Sequence, residues 1–287
     1  MVALVRPTAS LWRLRDVLDD IELVEADLTE LAPSTPSLRG VRVIHHLAAA
    51  GVDSRGSDAS QVVGANVVGT LRLLEAARAV GVDRFVYCGS CFEYGAGSRL
   101  SEDAPLRPRS PYAASKSAGW LLAEAAATEG LPLVTLRLFT VYGPFEAAYR
   151  LVPSCVLSAI EGKPIEITRG DQLRDFVFVD DAIEAFVAAS ETTGVVGTTI
   201  NVCSGVETRV RDLAAAVATL ARSDAGVAVG SLPPRKGEAD VLSGDPTRAR
   251  RLLGFSTRTP LEEGLERSLA WFREHRALYQ QTAVAAS

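Results

Sequence analysis

Apolar, β-branched runs recur along the first half of the chain, and stretches with helical periodicity stand between them. "MVALV", "IELVEA", "VRVIHHLA", "RFVYCGS" and "LPLVTLRLF" are nearly continuous in hydrophobic side chains. They lack the strict alternation of a half-exposed strand, which suits parallel strands covered on both faces. Segments 10–20, 58–80 and 111–129 read as helices. Ser110 is placed to cap the last of these, with Pro111 at its first position and Gly130 just past its end. Strand–helix–strand alternation predicts an α/β chain with a doubly wound, Rossmann-type parallel sheet.

From about residue 145 the pattern loosens. "RLVPSCVLSAIEGKPIEI" gives a helix and then a strand, and "VFVDDAIEAFVAASE" a helix with Asp180 as candidate N-cap. "TTINVCSG", "RVRDLAAAVATLAR", "PTRARRLLG" and "TPLEEGLERSLAWFREH" follow. This half reads as a smaller, mixed lobe over the C-terminal edge of the sheet, where α/β proteins bind ligands. Arg248, Arg250 and Arg251 read as a solvated helix face rather than a phosphate site, and the tail "ALYQQTAVAAS" is expected to fray.

Composition narrows the function classes. Of 287 residues 47% are hydrophobic and 23% charged, as in a soluble globular protein, and the formal net charge of −5 argues against nucleic acid as a partner. No apolar run approaches the ~18–20 residues of a membrane helix; the nearest, "LPLVTLRLFTVYGP", is interrupted by Arg137. The start lacks a basic, then apolar, leader, so a cytoplasmic protein is expected. Cys88 and Cys91 form a C-x-x-C, but no second such pair and no nearby His pair accompany them. They read as small side chains at the end of a buried strand, not a redox or zinc motif. His45 and His46 are adjacent and point to opposite faces of a strand, so no metal site is expected.

The chemistry concentrates in "SPYAASK". Tyr112 and Lys116 are four apart and share a helix face. A phenol is a poor base at neutral pH, but a nearby ammonium favours the phenolate and makes Tyr a usable acid/base. Upstream, "YCGSCFEYG" ends a buried strand, and Ser90 stands where that strand opens into a loop. A hydroxyl there can hold a substrate oxygen while Tyr112 moves the proton.

Taken together, "DLTE" from Asp27, "VIHHLAAA" at 43–50, "NVVGTLRLLEAAR" at 66–78, "GSCFEYG" at 89–95, "SPYAASK" at 110–116, "RLFTVYGP" at 137–144, "RDFVFVDD" at 174–181 and "PPRKGEAD" at 233–240 resemble the extended short-chain dehydrogenase/reductases. These are the nucleotide-sugar epimerases, dehydratases and ketoreductases. The resemblance implies a dinucleotide-binding domain over 1–145, with segments near 175–205 returning to it, and a mainly substrate-binding lobe over 146–287. It implies Tyr112 as general acid/base, Lys116 as its modulator and ribose ligand, and Ser90 as the group that holds the reacting sugar oxygen. Asn66 would steady the helix behind the site. Asp27 and Leu28 would flank the adenine, Ala48, Ala49 and Ala50 would let the cofactor lie close, and Cys88 and Phe139 would lie beside it. Cys91, Thr140, Arg174 and Arg235 would face the substrate, the two arginines holding its diphosphate. NADP or NAD is the implied cofactor, a nucleotide-diphosphate sugar the substrate, and a homodimer built on helices 58–80 and 111–129 the assembly.

Several positions depart from the family pattern. Thr140 stands where members often have Asn. Cys91 and Phe92 replace the Asp-Glu pair of the 4,6-dehydratases, which argues against that chemistry. Glu93 is unusual and has no role on sequence grounds. Arg6, after the first strand, could pair with a 2′-phosphate and favours NADP. In the family a first strand, a G-x-x-G-x-x-G turn and a first helix precede a strand like "MVALV", and no such glycine pattern occurs in the 287 residues. About 30 residues, judged from the size of a βαβ unit, are therefore expected ahead of Met1. The expectation is a chain that begins downstream of a longer protein's start, hence an N-terminally truncated Rossmann-type sheet. Two alternatives are a terminal strand that slides into the central slot, with "RPTAS" as substitute turn, and another subunit that fills the gap. The expected activity is a sugar 4-ketoreductase or 4-epimerase; the alternative is a non-catalytic relic of the fold acting in binding or assembly.

Overall fold

A computed structural model describes residues 1–52, 58–234 and 237–279. In chain order the strands and helices are β1 (Val2–Val5), β2 (Glu22–Glu25), β3 (Val43–His46), α1 (Ala59–Val63), α2 (Gly69–Val80), β4 (Arg84–Ser90), β5 (Gly97–Leu100), α3 (Pro111–Thr128), β6 (Leu133–Leu138), β7 (Thr140–Tyr142), α4 (Leu151–Ile160), β8 (Ile165–Ile167), β9 (Leu173–Arg174), β10 (Phe176–Phe178), α5 (Val179–Glu191), β11 (Thr198–Val202), β12 (Thr208–Arg209), α6 (Val210–Ala221), β13 (Val227–Val229), β14 (Val241–Gly244), α7 (Thr247–Leu253) and α8 (Leu261–Glu274). They fall into two compact units. The first comprises Met1–Gly95, Pro105–Arg137 and Phe186–Ile200; the second comprises Ala96–Ala104, Leu138–Ala185 and the described part of Asn201–Ser287.

The first unit carries the Rossmann-like sheet in the order β11–β6–β4–β3, with β3 and β4 parallel from Val43↔Arg84 to His46↔Tyr87. Every residue of β4 except Cys88 is buried, as continuous apolar strands under two layers of helix must be. Ile44, Leu73, Leu74, Phe85, Tyr87, Ala123 and Leu133 form the centre of the core. β1 and β2 make a separate parallel pair in register from Val2↔Glu22 to Val5↔Glu25. Among the described residues β1 pairs with β2 alone and β3 with β4 alone. The terminal strand therefore does not occupy the place beside β3, which removes the reading in which it slides to the centre of the sheet.

Local signals explain the helices that position the site. Asp58 accepts the Ser60 N–H at 3.0 Å and starts α1. The helix expected over 58–80 is interrupted: Gly64–Val68 forms a π-helical turn between α1 and α2. Ser110 Oγ accepts the Ala113 N–H at 3.1 Å and starts α3. Past its end Gly130 adopts φ +95°, a conformation glycine takes without strain. The segment 10–20 is not a full helix; only Arg15–Asp20 winds, as a 3₁₀ helix. None of those residues is buried, so no packed face stabilises a longer helix there.

In the second unit β5, β14, β9 and β12 form one mixed sheet, parallel at β14–β5 and β14–β9 and antiparallel at β12–β9. Its helices match the sequence patterns, with one correction. Asp180 does not cap α5 but lies inside its first turn, paired with Arg267, because Val179 already has helical backbone. Arg248 pairs with Glu102 at 3.3 Å and Asp103 at 2.7 Å. Asp175, wholly buried, accepts from Ser204 N–H and O–H, Gly205 N–H and Gly244 N–H, and ties three segments together. Residues 280–287, which include most of the expected frayed tail, lie outside the described residues.

Candidate active site

β4 ends on Ser90, and a 3₁₀ turn over Cys91–Tyr94 follows. Ser90 has extended backbone, φ −143° and ψ 139°, and caps that turn: its Oγ accepts the Phe92 N–H at 3.3 Å. Glu93 reaches back, its Oε1 accepting the Ser90 N–H at 2.7 Å. This is the reciprocal S-x-x-E capping box, and it was legible as a pattern in "SCFE". Glu93 is wholly buried and its Oε2 accepts from Arg137 Nε at 2.8 Å. Arg137 is equally buried, with its guanidinium carbon 4.8 Å from the Tyr94 ring and 4.5 Å from the Trp120 ring. Gly89 lets the pair come this close: a Cβ there would stand 3.0 Å from both Arg137 Cγ and Glu93 Oε1.

The first turns of α3 supply Tyr112 and Lys116, and α3 packs against the Ser90 turn. The Tyr112 ring meets the Phe92 ring edge-on at 6.3 Å. Lys116 is 3% exposed, its Nζ 4.5 Å from the centre of the Tyr87 ring, whose hydroxyl donates to Lys116 O at 3.2 Å. Burial lowers the pKa of Lys116, while Cys88 and Glu93 nearby push it back up. Cys88 is raised, chiefly by burial, with Lys116 opposing.

A buried polar network fixes α3 from behind. Asn66, in the π-helical turn, accepts the Ala50 N–H at 2.7 Å and donates to Ala50 O at 2.9 Å and to Ser115 Oγ at 2.8 Å. Ser115 in turn donates to Tyr112 O at 2.8 Å. Thr70 donates to Asn66 O, and His46 Nε2 lies 2.9 Å from Thr70 Oγ1. Because the Thr70 hydrogen is already given, the His46 ring donates, as a neutral imidazole: burial first, then Lys116, hold its pKa down to about 3. Gly119 is what allows α3 to sit here, since a Cβ would stand 2.5 Å from the Tyr87 hydroxyl and 2.8 Å from Asn66 O. Sequence reasoning missed Glu93, Arg137, Gly119, Thr70 and the role of His46.

The other expected site residues fall as follows. Arg6 and Asp27 are exposed at the ends of β1 and β2, and the Arg6 charge helps two Thr29 hydrogen bonds hold Asp27 below the usual carboxylate range. Leu28 is half-buried beside Gly69, and Ala48 and Ala49 are exposed past the end of β3. In the second unit Phe139 is buried, packed where a Gly244 Cβ would stand, and Thr140 donates its N–H to Asp175 O. Arg174 is mostly buried and pairs with Glu238 at 3.4 Å. Arg235 lies outside the described residues. A cavity of about 190 Å³ in this unit is lined by Val141–Glu146 and Val179. Among the described residues no cluster of His, Cys, Asp and Glu could hold a metal, and no helix is long and apolar enough to cross a membrane.

The family model described as the NAD dependent epimerase/dehydratase family matches residues 2–203. The chain belongs to that family. It is 35% identical over 262 residues to a dTDP-glucose 4,6-dehydratase of Streptomyces griseus, spanning 89% of this chain and 79% of that protein. It is 36% identical over 272 residues to a UDP-glucose 4-epimerase of Mycolicibacterium smegmatis, spanning 88% and 81%. In structure it is similar to DesIV, a dTDP-glucose 4,6-dehydratase of Streptomyces venezuelae crystallised with NAD and TYD. That match has a TM-score of 0.89 at 29% identity and covers 98% of this chain and 89% of that one.

Proposed function

We propose that this family member is an NAD(P)-dependent nucleotide-sugar oxidoreductase working at a sugar hydroxyl or ketone, a 4-ketoreductase or 4-epimerase rather than a 4,6-dehydratase. The observation that carries this reading is the Phe92 ring set against Tyr112. It stands, with buried Cys91, where the resemblance gives the 4,6-dehydratases an Asp-Glu pair. Loss of water needs an acid for the departing hydroxyl, and a phenyl ring has no proton to give.

The residues present fit the reactive end of a nicotinamide dinucleotide. Side chains no larger than a methyl at Ala48 and Ala49 leave open surface past β3, Asn66 fastens Ala50, and Lys116 with the Tyr112 and Ser90 hydroxyls makes a donor set suited to a ribose and a sugar oxygen. The cofactor supplies or takes up hydride at the sugar carbon. Tyr112 moves the proton at its phenolic oxygen, to the sugar oxygen in reduction and from it in oxidation. Lys116, one turn along the same helix, is assigned to modulate that transfer. Ser90 already accepts the Phe92 N–H, so its own hydrogen is available to the sugar oxygen. Exposed Arg6 beside Asp27 suits a 2′-phosphate and favours NADP. Arg174 is assigned to the diphosphate of the substrate. Val63, Leu71 and Leu121, exposed by 47%, 39% and 59% on α1, α2 and α3, support a homodimer through those helices.

The test supplies the chain with NADPH and a 4-keto-6-deoxy nucleotide sugar, and separately with UDP-glucose and no added reductant. Sustained NADPH oxidation identifies the reductase, and interconversion at C4 the epimerase. Tyr112→Phe should lower kcat by about a hundredfold or more. Conversion of dTDP-glucose to its dehydrated 4-keto product, or full turnover by Tyr112→Phe, would overturn the reading.

A further inference from the structure

We propose that the buried Glu93–Arg137 pair is a positioning device, which holds the Ser90 turn so that the Ser90 hydroxyl hydrogen is presented to the reacting sugar oxygen. The proposal rests on the functional reading above and extends it to two residues with no sequence-derived role.

The connection is short and buried, made of two hydrogen bonds to one carboxylate. Glu93 Oε1 takes the Ser90 N–H and Glu93 Oε2 takes the Arg137 Nε–H, so one carboxylate ties the last residue of β4 to the end of β6. A capping-box glutamate ordinarily sits at the rim of a helix in water; this one is 0% exposed. A lone buried charge there would be strongly disfavoured, and the Arg137 guanidinium is the partner that holds the Glu93 side chain in this geometry. Arg137 is itself fixed by the faces of Tyr94 and Trp120 and by its 3.1 Å hydrogen bond to the Tyr94 hydroxyl. The Glu93 backbone is pinned as well, its carbonyl accepting the Arg107 N–H at 3.0 Å. The consequence falls on one hydrogen. With the Ser90 backbone held by Glu93 and its Oγ lone pair given to Phe92 N–H, the remaining O–H has a defined cone in which to donate. A core spacer would need only volume from these two residues. A positioning device needs the carboxylate oxygen on Ser90 N–H.

The decisive variant replaces both charges with apolar groups of similar volume, Glu93→Val with Arg137→Met, so that no buried charge is left alone. Cys91, buried beside Ser90 and outside any disulfide, reports on the turn without cofactor or substrate; Cys155, buried in α4, reports on folding elsewhere. In the double variant alkylation of Cys91 by N-ethylmaleimide should rise about tenfold or more, with Cys155 within about twofold of the native rate. kcat should fall about tenfold or more with KM within about threefold, the signature of an interaction used in the transition state. In a Ser90→Ala background the same double change should cost kcat less than about threefold, because the pair acts through that hydroxyl. Native Cys91 protection together with native kcat in the double variant overturns the proposal. So does an undiminished kcat loss in the Ser90→Ala background. If the native chain turns over no nucleotide sugar, the functional reading fails on its own, and the alkylation rate still decides whether the pair holds the turn.

Discussion

Replacing Glu146 by Gln should flatten the pH dependence of stability. Glu146 belongs to the second unit and lines its cavity, after Phe145 with φ +64°. Its Oε1 accepts from Arg150 Nε at 3.2 Å, while its Oε2 is buried with no hydrogen-bond partner. Burial is the largest influence and lifts the carboxyl from 4.5 to about 7, with Arg150 and the Gly143 backbone pulling the other way. A folded-state pKa above the unfolded value means the protonated form is the one folding favours. The associated stability is complete below pH 4.5 and is lost as pH rises through about 7. With those two values the loss between about pH 5 and about pH 8 is ~2.5 kcal/mol, within a ceiling of ~3.4 kcal/mol set by ~1.4 kcal/mol per pK unit. Gln carries no proton to lose and keeps the oxygen that faces Arg150. Urea midpoints at the two pH values, read by circular dichroism and by fluorescence of Trp271, whose ring lies 4.7 Å from Phe145, measure the difference directly. Equal pH slopes in the native chain and Glu146→Gln would refute the reasoning, because both share every other titrating group.

Two further perturbations bear on the scaffold of the site. Asn66→Ala removes three buried hydrogen bonds, to Ala50 N–H, Ala50 O and Ser115 Oγ, and should cost ~1.5–4 kcal/mol in denaturant unfolding, with faster hydrogen exchange at the Ala50 amide. Gly119→Ala should destabilise by ~1–3 kcal/mol although Ala is the better helix former, because its Cβ meets Tyr87 and the Asn66 carbonyl; a higher melting temperature in that variant would contradict the packing.

What the sequence determined by itself is local. Strand and helix alternation, the Ser110 cap and the glycine beyond α3 follow from dihedral preference and periodicity, which act over a few residues. The four-residue spacing of Tyr112 and Lys116 and the place of Ser90 at a strand end are of the same kind. The "SCFE" pattern is local too, but Glu93 gained its role only from the bond it makes to the Ser90 N–H. What only the tertiary structure decided lies between residues remote in sequence or depends on what is buried. Arg137 meets Glu93 across 44 positions, and no local rule links them. The π-helical turn that aims Asn66 at Ala50 and Ser115 interrupts a segment whose periodicity reads as one helix. Segment 10–20 has helical periodicity but buries no face, so only Arg15–Asp20 winds, and as a 3₁₀ rather than an α-helix. Burial decides whether a charge must find a partner and whether an amphipathic stretch is worth ordering, and burial is a property of the assembled chain.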